Sequence, residues 1–215
     1  MGNFQKISSI IKLDPIINPI LVETGTYLGE SIKSALLAGY THIHSIEIDP
    51  NLYFNASYRF RRNENVHIHY GDSSTLVGHI IDFINLIYPG VPVVFWLDAH
   101  FPGSDKSQIN YWDGKQQYPH NTWMPLLQEL LYIVRHRPHI DTIIIDDLRC
   151  FSDCYHVQSN LLIEHLGLIG QSLPQGTTRS SLVGVSDKDI EEILLPHYNP
   201  SYFMEDEGYI VYTPH

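Results

Sequence analysis

The stretch Ile20-Leu21-Val22-Glu23-Thr24-Gly25-Thr26-Tyr27-Leu28-Gly29-Glu30-Ser31 constrains this chain more than any other. A short apolar run ends on a carboxylate, passes two glycines and enters a helical pattern over Ser31 to Ala38. That order predicts a buried strand, a tight turn and a helix. Gly25 and Gly29 carry no Cβ, so the expectation is that a ligand lies against the backbone at both. The helix that follows directs unpaired N–H groups at the same place, which suits an anion. Glu23 puts the opposite charge beside it, so the turn suits a zwitterion. Two glycines four apart fall short of G-x-G-x-x-G, and the dinucleotide fingerprint is therefore missing. Taken by itself, an ordinary strand-to-helix connection is the plainer reading of this turn.

Two further strands end the same way. His44-Ser45-Ile46-Glu47-Ile48-Asp49-Pro50 is an apolar strand closing on acids, and Val66-His67-Ile68-His69-Tyr70 leads into Gly71-Asp72-Ser73. Three successive strands thus finish at Glu23, Glu47 and Asp72. In an open parallel sheet, the strand ends at the switch point form the ligand crevice. One acid accepting both ribose hydroxyls, and another accepting from an adenine amine, suit an adenosyl group that carries an amino acid.

On these residues the chain resembles the class I S-adenosylmethionine (SAM)-dependent methyltransferases. Glu23-Thr-Gly25-Thr-Tyr-Leu-Gly29 looks like their first motif, Ile46-Glu47-Ile48-Asp49-Pro50 like the acid of the second strand, and Gly71-Asp72-Ser73 like the adenine-contacting turn. The resemblance covers residues 18 to 150 best. It implies Glu23 and Gly25 at the methionine end of SAM, Glu47 on the ribose, and Asp72 and Ser73 near the adenine. Thr26, Tyr27, Gly29, Ser31, Ile48, Gly71 and Asp98 go with the cofactor by the same resemblance. The implied fold is α/β and Rossmann-like: a seven-stranded, mostly parallel sheet with an antiparallel last strand and helices on both faces.

Composition narrows the partners. A chain of 215 residues is most simply one domain, 1–215, with room for a sizeable core. Its 24 acids against 13 bases give a net charge of −11, which argues against nucleic acid as a partner. The one basic cluster, Arg59, Arg61 and Arg62, suits a solvated helix end. No run approaches the roughly 18 apolar residues of a membrane span. The start has no apolar signal-peptide core, and Lys6 breaks the myristoylation pattern. Cys150 and Cys154 make no disulfide framework and read as free thiols; as a CxxxC zinc half-site they lack a partner. The expectation is a soluble cytoplasmic protein that acts on a small molecule, with a homo-oligomer as an option.

Along the chain, residues 1–17 hold an amphipathic helix over Phe4 to Leu13. Strands are expected near 19–23, 43–48, 66–70, 91–97 and 142–145, and helices near 27–38, 51–61, 75–87, 122–135, 152–166 and 187–196. A short strand at 181–185 is an option. Tyr202-Phe203-Met204 and Tyr209-Ile210-Val211-Tyr212 read as a closing hairpin. His42 with His44, and His67 with His69, alternate along strands, so each pair shares a face. Paired histidines can hold zinc, but with no third ligand a half-exposed strand face is the better reading. The polar, aromatic-studded stretch 101–121 is long for a connection inside a domain and is expected to cover the acceptor site.

A second constellation follows the fourth and fifth strands. Asp98 ends one, and Asp146 and Asp147 end the other. Neighbouring strands lie roughly 4.8 Å apart, so the three carboxylates are expected to converge. Packed anions repel unless some are protonated or a cation sits among them, and hard oxygen ligands favour magnesium, calcium or manganese. The alternative is that Asp146 or Asp147 caps a turn while Asp98 binds an acceptor hydroxyl. His100, two residues beyond Asp98, is the candidate general base, and Asp98 the other candidate catalytic group. Leu97-Asp98-Ala99-His100 with Ile145-Asp146-Asp147 resembles the metal-dependent sugar O-methyltransferases. Trp96-Leu97-Asp98-Ala99-His100 with Pro125-Leu-Leu-Gln-Glu129-Leu130 is similar to methyltransferases of polysaccharide loci. That resemblance implies magnesium at Asp98, Asp146 and Asp147, and transfer of a methyl group from SAM to a sugar hydroxyl. Open alternatives are a metal-free N- or O-methyltransferase, a hydroxylase, or a non-catalytic nucleotide-binding protein of the same fold.

Overall fold

The structure, a computed structural model, describes residues 14, 16–99, 124–148, 151–152, 185–204 and 208–215. The elements run β1 (Ile20–Thr24), α1 (Glu30–Ala38), β2 (His42–Glu47), α2 (Pro50–Phe60), β3 (Val66–Tyr70), α3 (Ser73–Ile87), β4 (Val93–Leu97), α4 (Leu126–His136), β5 (Thr142–Ile145), α5 (Asp187–Leu194), β6 (Tyr198–Phe203) and β7 (Tyr209–Pro214). The strands form one sheet in the order β3-β2-β1-β4-β5-β7-β6. The first five pair in parallel, and β7 runs antiparallel to both β5 and β6. The expected α/β architecture, including its antiparallel last strand, is the one observed.

Alternation along the strands builds two cores. Ile20, Val22, Ile46, Phe95, Leu97, Ile143 and Ile145 pack with α3, α4 and α5, through side chains such as Val77, Ile81, Leu130 and Ile190. Leu21, Ile43, Val94, Trp96 and Ile144 pack on the other face with Ile32 and Ala35 of α1 and Phe60 of α2. Strands covered on both faces have no polar side, which is why β4 and β5 read as unbroken apolar runs.

Local chemistry sets the boundaries. Asp49 caps α2 by accepting from the amides of Asn51 (2.7 Å) and Leu52 (3.1 Å), with Pro50 in the first turn. Asp72 caps α3 through the Ser74 amide at 2.9 Å, so that helix starts at Ser73 instead of near 75. Tyr27 (φ 48°) and Gly29 (φ 72°) are left-handed and hold α1 back to Glu30. The closing hairpin is longer than expected, because β6 starts at Tyr198. Pro200 is tolerated there since β6 is an edge strand paired only with β7. No described helix is long and apolar enough to cross a membrane. The expected helices over 4–13 and 152–166, most of the 181–185 strand, stretch 101–121 and both cysteines lie outside the described residues.

The histidine face is half-exposed as expected, with His67 exposed and His42 and His69 half-buried, and only His44 of the four is buried. His44 is only 4% exposed; its Nδ1 lies 3.1 Å from Nε2 of His69, and its ring stacks on His67 at 5.0 Å, edge-on to Phe83. Burial first, then the surrounding imidazoles, pulls His44 down to about 3, so it is a neutral packing group.

Candidate ligand-binding site

The parallel strands β1 to β5 all end at one edge, and the order β2-β1-β4 puts the switch point beside β1. Gly25 leaves β1 there with φ 86°, and a Cβ on it would lie 2.8 Å from the Asp98 carbonyl oxygen at the end of β4. The missing side chain therefore lets two strand exits approach, where a ligand contact was expected. Gly29 is likewise used by the protein, since a Cβ there would meet the Phe60 ring at 2.5 Å.

The amides of this turn are tied to β2. Gly25 and Thr26 donate to the Ile46 carbonyl at 3.0 and 3.1 Å, and Tyr27 donates to Oε2 of Glu47 at 2.8 Å. The Asp49 amide takes Oε1 of Glu47, also at 2.8 Å. Glu47 thus fixes the turn and the start of α2 relative to β2. Burial pushes its carboxyl upward, against the Asp49 and Tyr27 amides that favour the charged form.

Glu23, expected at the methionine end, is 1% exposed. Ser31 at the start of α1 donates to its Oε1, and Ser45 of β2 donates to Oε2 at 2.5 Å; Thr26 Oγ1 lies 2.6 Å from Ser45 Oγ. Burial pushes Glu23 up to about 8 despite the two hydroxyls, with Asp98 and Glu47 adding repulsion. Gly25, Tyr27, Ile48, Gly71, Asp72, Asp98 and Ala99 are half-buried and rim the same edge, while Ser73 is buried. The structure therefore brings the cofactor candidates of all three turns to one edge of the sheet. His100 lies outside the described residues.

The three aspartates do not assemble as expected. Asp98 and Asp146 are neighbours across β4 and β5, with the Asp146 amide donating to the Leu97 carbonyl at 3.1 Å. Oδ1 of Asp146 accepts the amide of Asp147 at 2.9 Å, and Asp147 is in the left-handed region with φ 56°. Asp146 and Asp147 are buried, whereas Asp98 is half-buried. Among the described residues no group of three or more His, Cys, Asp or Glu is arranged to hold a metal. Adjacent strand ends bring the backbones together; the side-chain environments then diverge.

One site residue escaped the sequence reading. Glu129, in the first turn of α4, is 1% exposed and shares the buried face with Leu126, Leu130 and Ile133. Burial pushes its carboxyl up to about 8, against the nearby Ser73 and Thr24 hydroxyls that favour the charged form and with Asp72 adding repulsion. Its Oε1 has no hydrogen-bond partner among the described residues. The available signal was its place at apolar helical spacing, where an acid is out of pattern.

No protein-family model matches the chain, and no curated protein does. Solved structures do resemble it. An O-methyltransferase from Bacillus cereus in complex with S-adenosylhomocysteine (SAH) superimposes with TM-score 0.59 at 12% identity, covering 100% of this chain and 82% of that one. The O-methyltransferase TomG from Streptomyces achromogenes, in complex with SAM, gives TM-score 0.55 at 11% identity over 98% and 78% of the two chains. CalS10, an amino pentose methyltransferase from Micromonospora echinaspora with SAM bound, gives 0.52 at 12% over 100% and 92%. At these identities the likeness is one of fold.

Proposed function

We propose that this chain is a class I SAM-dependent methyltransferase acting on a hydroxyl oxygen of a small polar acceptor, with a sugar as the leading candidate. The observation that carries this reading is the charge of the upper edge. Glu23, Glu47 and Glu129 are buried there, and among the described residues the charged neighbours that act on them, Asp98, Asp49 and Asp72 besides Glu47 itself, are acids. Such a crevice favours a ligand that brings positive charge and disfavours one that brings phosphates. SAM carries a sulfonium and an ammonium, and when bound supplies an activated methyl group. The SAM- and SAH-bound neighbours of the same fold support this, and the amino pentose enzyme supports a sugar-like acceptor by analogy.

Glu23, held by Ser31 and Ser45, would face the ammonium, whose charge would draw the carboxyl toward its ionised form. Glu47 and Ile48 would hold the ribose, and Gly71, Asp72 and Ser73 the adenine. Gly25, Thr26, Tyr27 and Gly29 shape the backbone between them. Asp98 would orient the acceptor hydroxyl, and His100 would take its proton. No role is routed through a metal, because Asp98, Asp146 and Asp147 form no metal-holding group. A cytoplasmic location and self-association belong to the same proposal.

A thermal-shift panel tests it. SAH at 100 times its dissociation constant should add about 2.7 kcal/mol of stability, NAD should add none, and EDTA should change neither result. Glu47→Ala should weaken the SAH effect. Stabilisation by NAD with SAH inert would overturn the reading; loss of the SAH effect in EDTA would restore the metal.

A further inference from the structure

The alternation that puts Leu21 of β1 and Ile43 of β2 into the core under α1 and α2 carries Glu23 and Ser45 onto the same face, as directly paired residues of the two strands. Both side chains are buried, Ser45 completely. The Ser45 hydroxyl donates to Oε2 of Glu23 at 2.5 Å, and Thr26 Oγ1 lies 2.6 Å from the Ser45 oxygen. A hydroxyl has one proton, and Ser45 gives its own to Glu23, so at the second contact Thr26 donates and Ser45 accepts. Thr26 is itself held by its backbone. Its amide donates to the Ile46 carbonyl at 3.1 Å, and its carbonyl accepts the Gly29 amide at 2.8 Å. A chain of hydroxyls thus runs from the glycine turn through Ser45 to the carboxylate, while Ser31 of α1 donates to the other oxygen, Oε1.

The geometry points to Ser45 as a positioning residue that, ordered by Thr26, fixes the Glu23 carboxylate for the ammonium group of a bound ligand. This rests on the proposed SAM site, in which Glu23 faces that ammonium. Serine suits a sealed strand position poorly, where Leu21 and Ile43 show the pattern to be apolar, unless its hydroxyl is used. A carboxylate with a donor on each oxygen cannot turn without losing one, and hydrogen bonds to a charged acceptor are the strong ones. Among the described residues the charged groups acting on Glu23 are Asp98 just past β4 and Glu47 of β2; both are acids, and with burial they oppose its ionisation. Ser31 and Ser45 are the groups that favour it. Removing Ser45 should therefore make the ionised form harder to reach when a cationic ligand arrives.

The test compares SAH with methylthioadenosine, which lacks the amino-acid end, titrated on the whole protein by calorimetry at about pH 6.5 and about pH 9, on either side of the Glu23 titration. Ser45→Ala should weaken SAH about tenfold at the lower pH, the size of one lost hydrogen bond to a charged group. At the higher pH, where Glu23 ionises without that help, SAH should come within about threefold of the wild type. Methylthioadenosine should stay within about twofold at both. Thr26→Val keeps the shape of the turn and should weaken SAH less, by about two- to threefold at the lower pH. Adding it to Ser45→Ala should cost nothing more, because the Thr26 hydroxyl acts on Glu23 through Ser45. Unchanged SAH affinity in Ser45→Ala at the lower pH overturns the assignment. So does a loss that is equal at both pH values or shared by methylthioadenosine, which is what a merely structural role would give. If Ser45→Ala does not fold, Thr26→Val decides, and unchanged or pH-independent SAH binding there overturns the assignment equally. A wild-type protein that binds neither compound removes the site itself, a result distinct from these, and takes this role with it.

Discussion

At the lower edge of the sheet, where β4 and β5 begin, Arg137 and Asp141 meet in a fully buried, two-pronged ion pair at 2.8 Å for each prong. The remaining guanidinium donors go to the Asn85 side chain (2.6 Å) and the Val91 carbonyl (2.7 Å), and Asp141 also accepts the Val93 amide at 2.8 Å. At the upper edge, where the same strands end, Glu23, Glu47 and Glu129 are as deeply buried, and the donors to Glu23 and Glu47 are hydroxyls and amides. The lower edge answers its own charge and is closed. Burial raises the acids of both edges, but among the described residues only the lower one pairs its acid with a guanidinium. That difference separates a structural ion pair from the candidate site.

The largest effect should come from breaking the lower edge. Arg137→Met leaves Asp141 buried without its partner and should cost about 3–5 kcal/mol in urea unfolding. Adding Asp141→Leu should recover much of that loss, because no orphaned charge remains. SAH binding by the folded fraction should survive in both. A single variant as stable as the wild type would mean the pair does not hold the lower edge.

Next comes pH. Glu23 titrates near 8 in the fold against 4.5 as a free side chain, so unfolding releases its proton between those values. The contribution of Glu23 to apo stability should therefore be fully present below about pH 4.5 and be lost as pH rises through about 8, at most about 1.4 kcal/mol per pH unit. Glu129 contributes over the same window. Glu23→Gln should remove its share of the slope from a melting-temperature profile, and a wild-type profile with no such slope would contradict the protonated upper edge.

Smaller again is Gly25→Ala. The left-handed backbone alone should cost about 1–3 kcal/mol, and the new methyl would press on the Asp98 carbonyl. SAH affinity should fall with stability, since the β1 and β4 exits must separate. In Gly29→Ala the methyl instead meets a movable ring, so Phe60→Leu should relieve part of the damage there and none at Gly25. Equal rescue at both glycines would show that the two contacts were misread.

The smallest effect is expected at Asp72. Losing this cap in Asp72→Ala should cost about 1 kcal/mol of stability, measurable by calorimetry. If Asp72 also holds adenine, SAH affinity should drop further than that of Asp49→Ala, which removes the comparable cap of α2.

Much of the site was legible because strand ends are local events. Ile20 to Thr24, His42 to Glu47 and Val66 to Asp72 each carry a strand and an acid at or just past its end within one short window, and parallel pairing then aligns the ends. The uses of Gly29 and Glu129 were not legible. Phe60 reaches Gly29 from 31 positions away, and Ser73 and Thr24 reach Glu129 from 56 and 105 away. The arrangement of the three aspartates was not legible for the same reason. Adjacent positions for Asp98, Asp146 and Asp147 follow from strand order, but the left-handed turn at Asp147 and its amide bond to Asp146 do not.

The sequence by itself determined the alternation of strands and helices and the three acids at strand ends. Periodicity and capping act over a few residues and are written in consecutive letters. Only the tertiary structure decided which of the described acids are buried, which glycine is packed by a ring, and that an acid on α4 is buried near Thr24 and Ser73. Burial, desolvation and long-range hydrogen bonds depend on what other segments bring to the same point in space, and that exists only once the chain has folded.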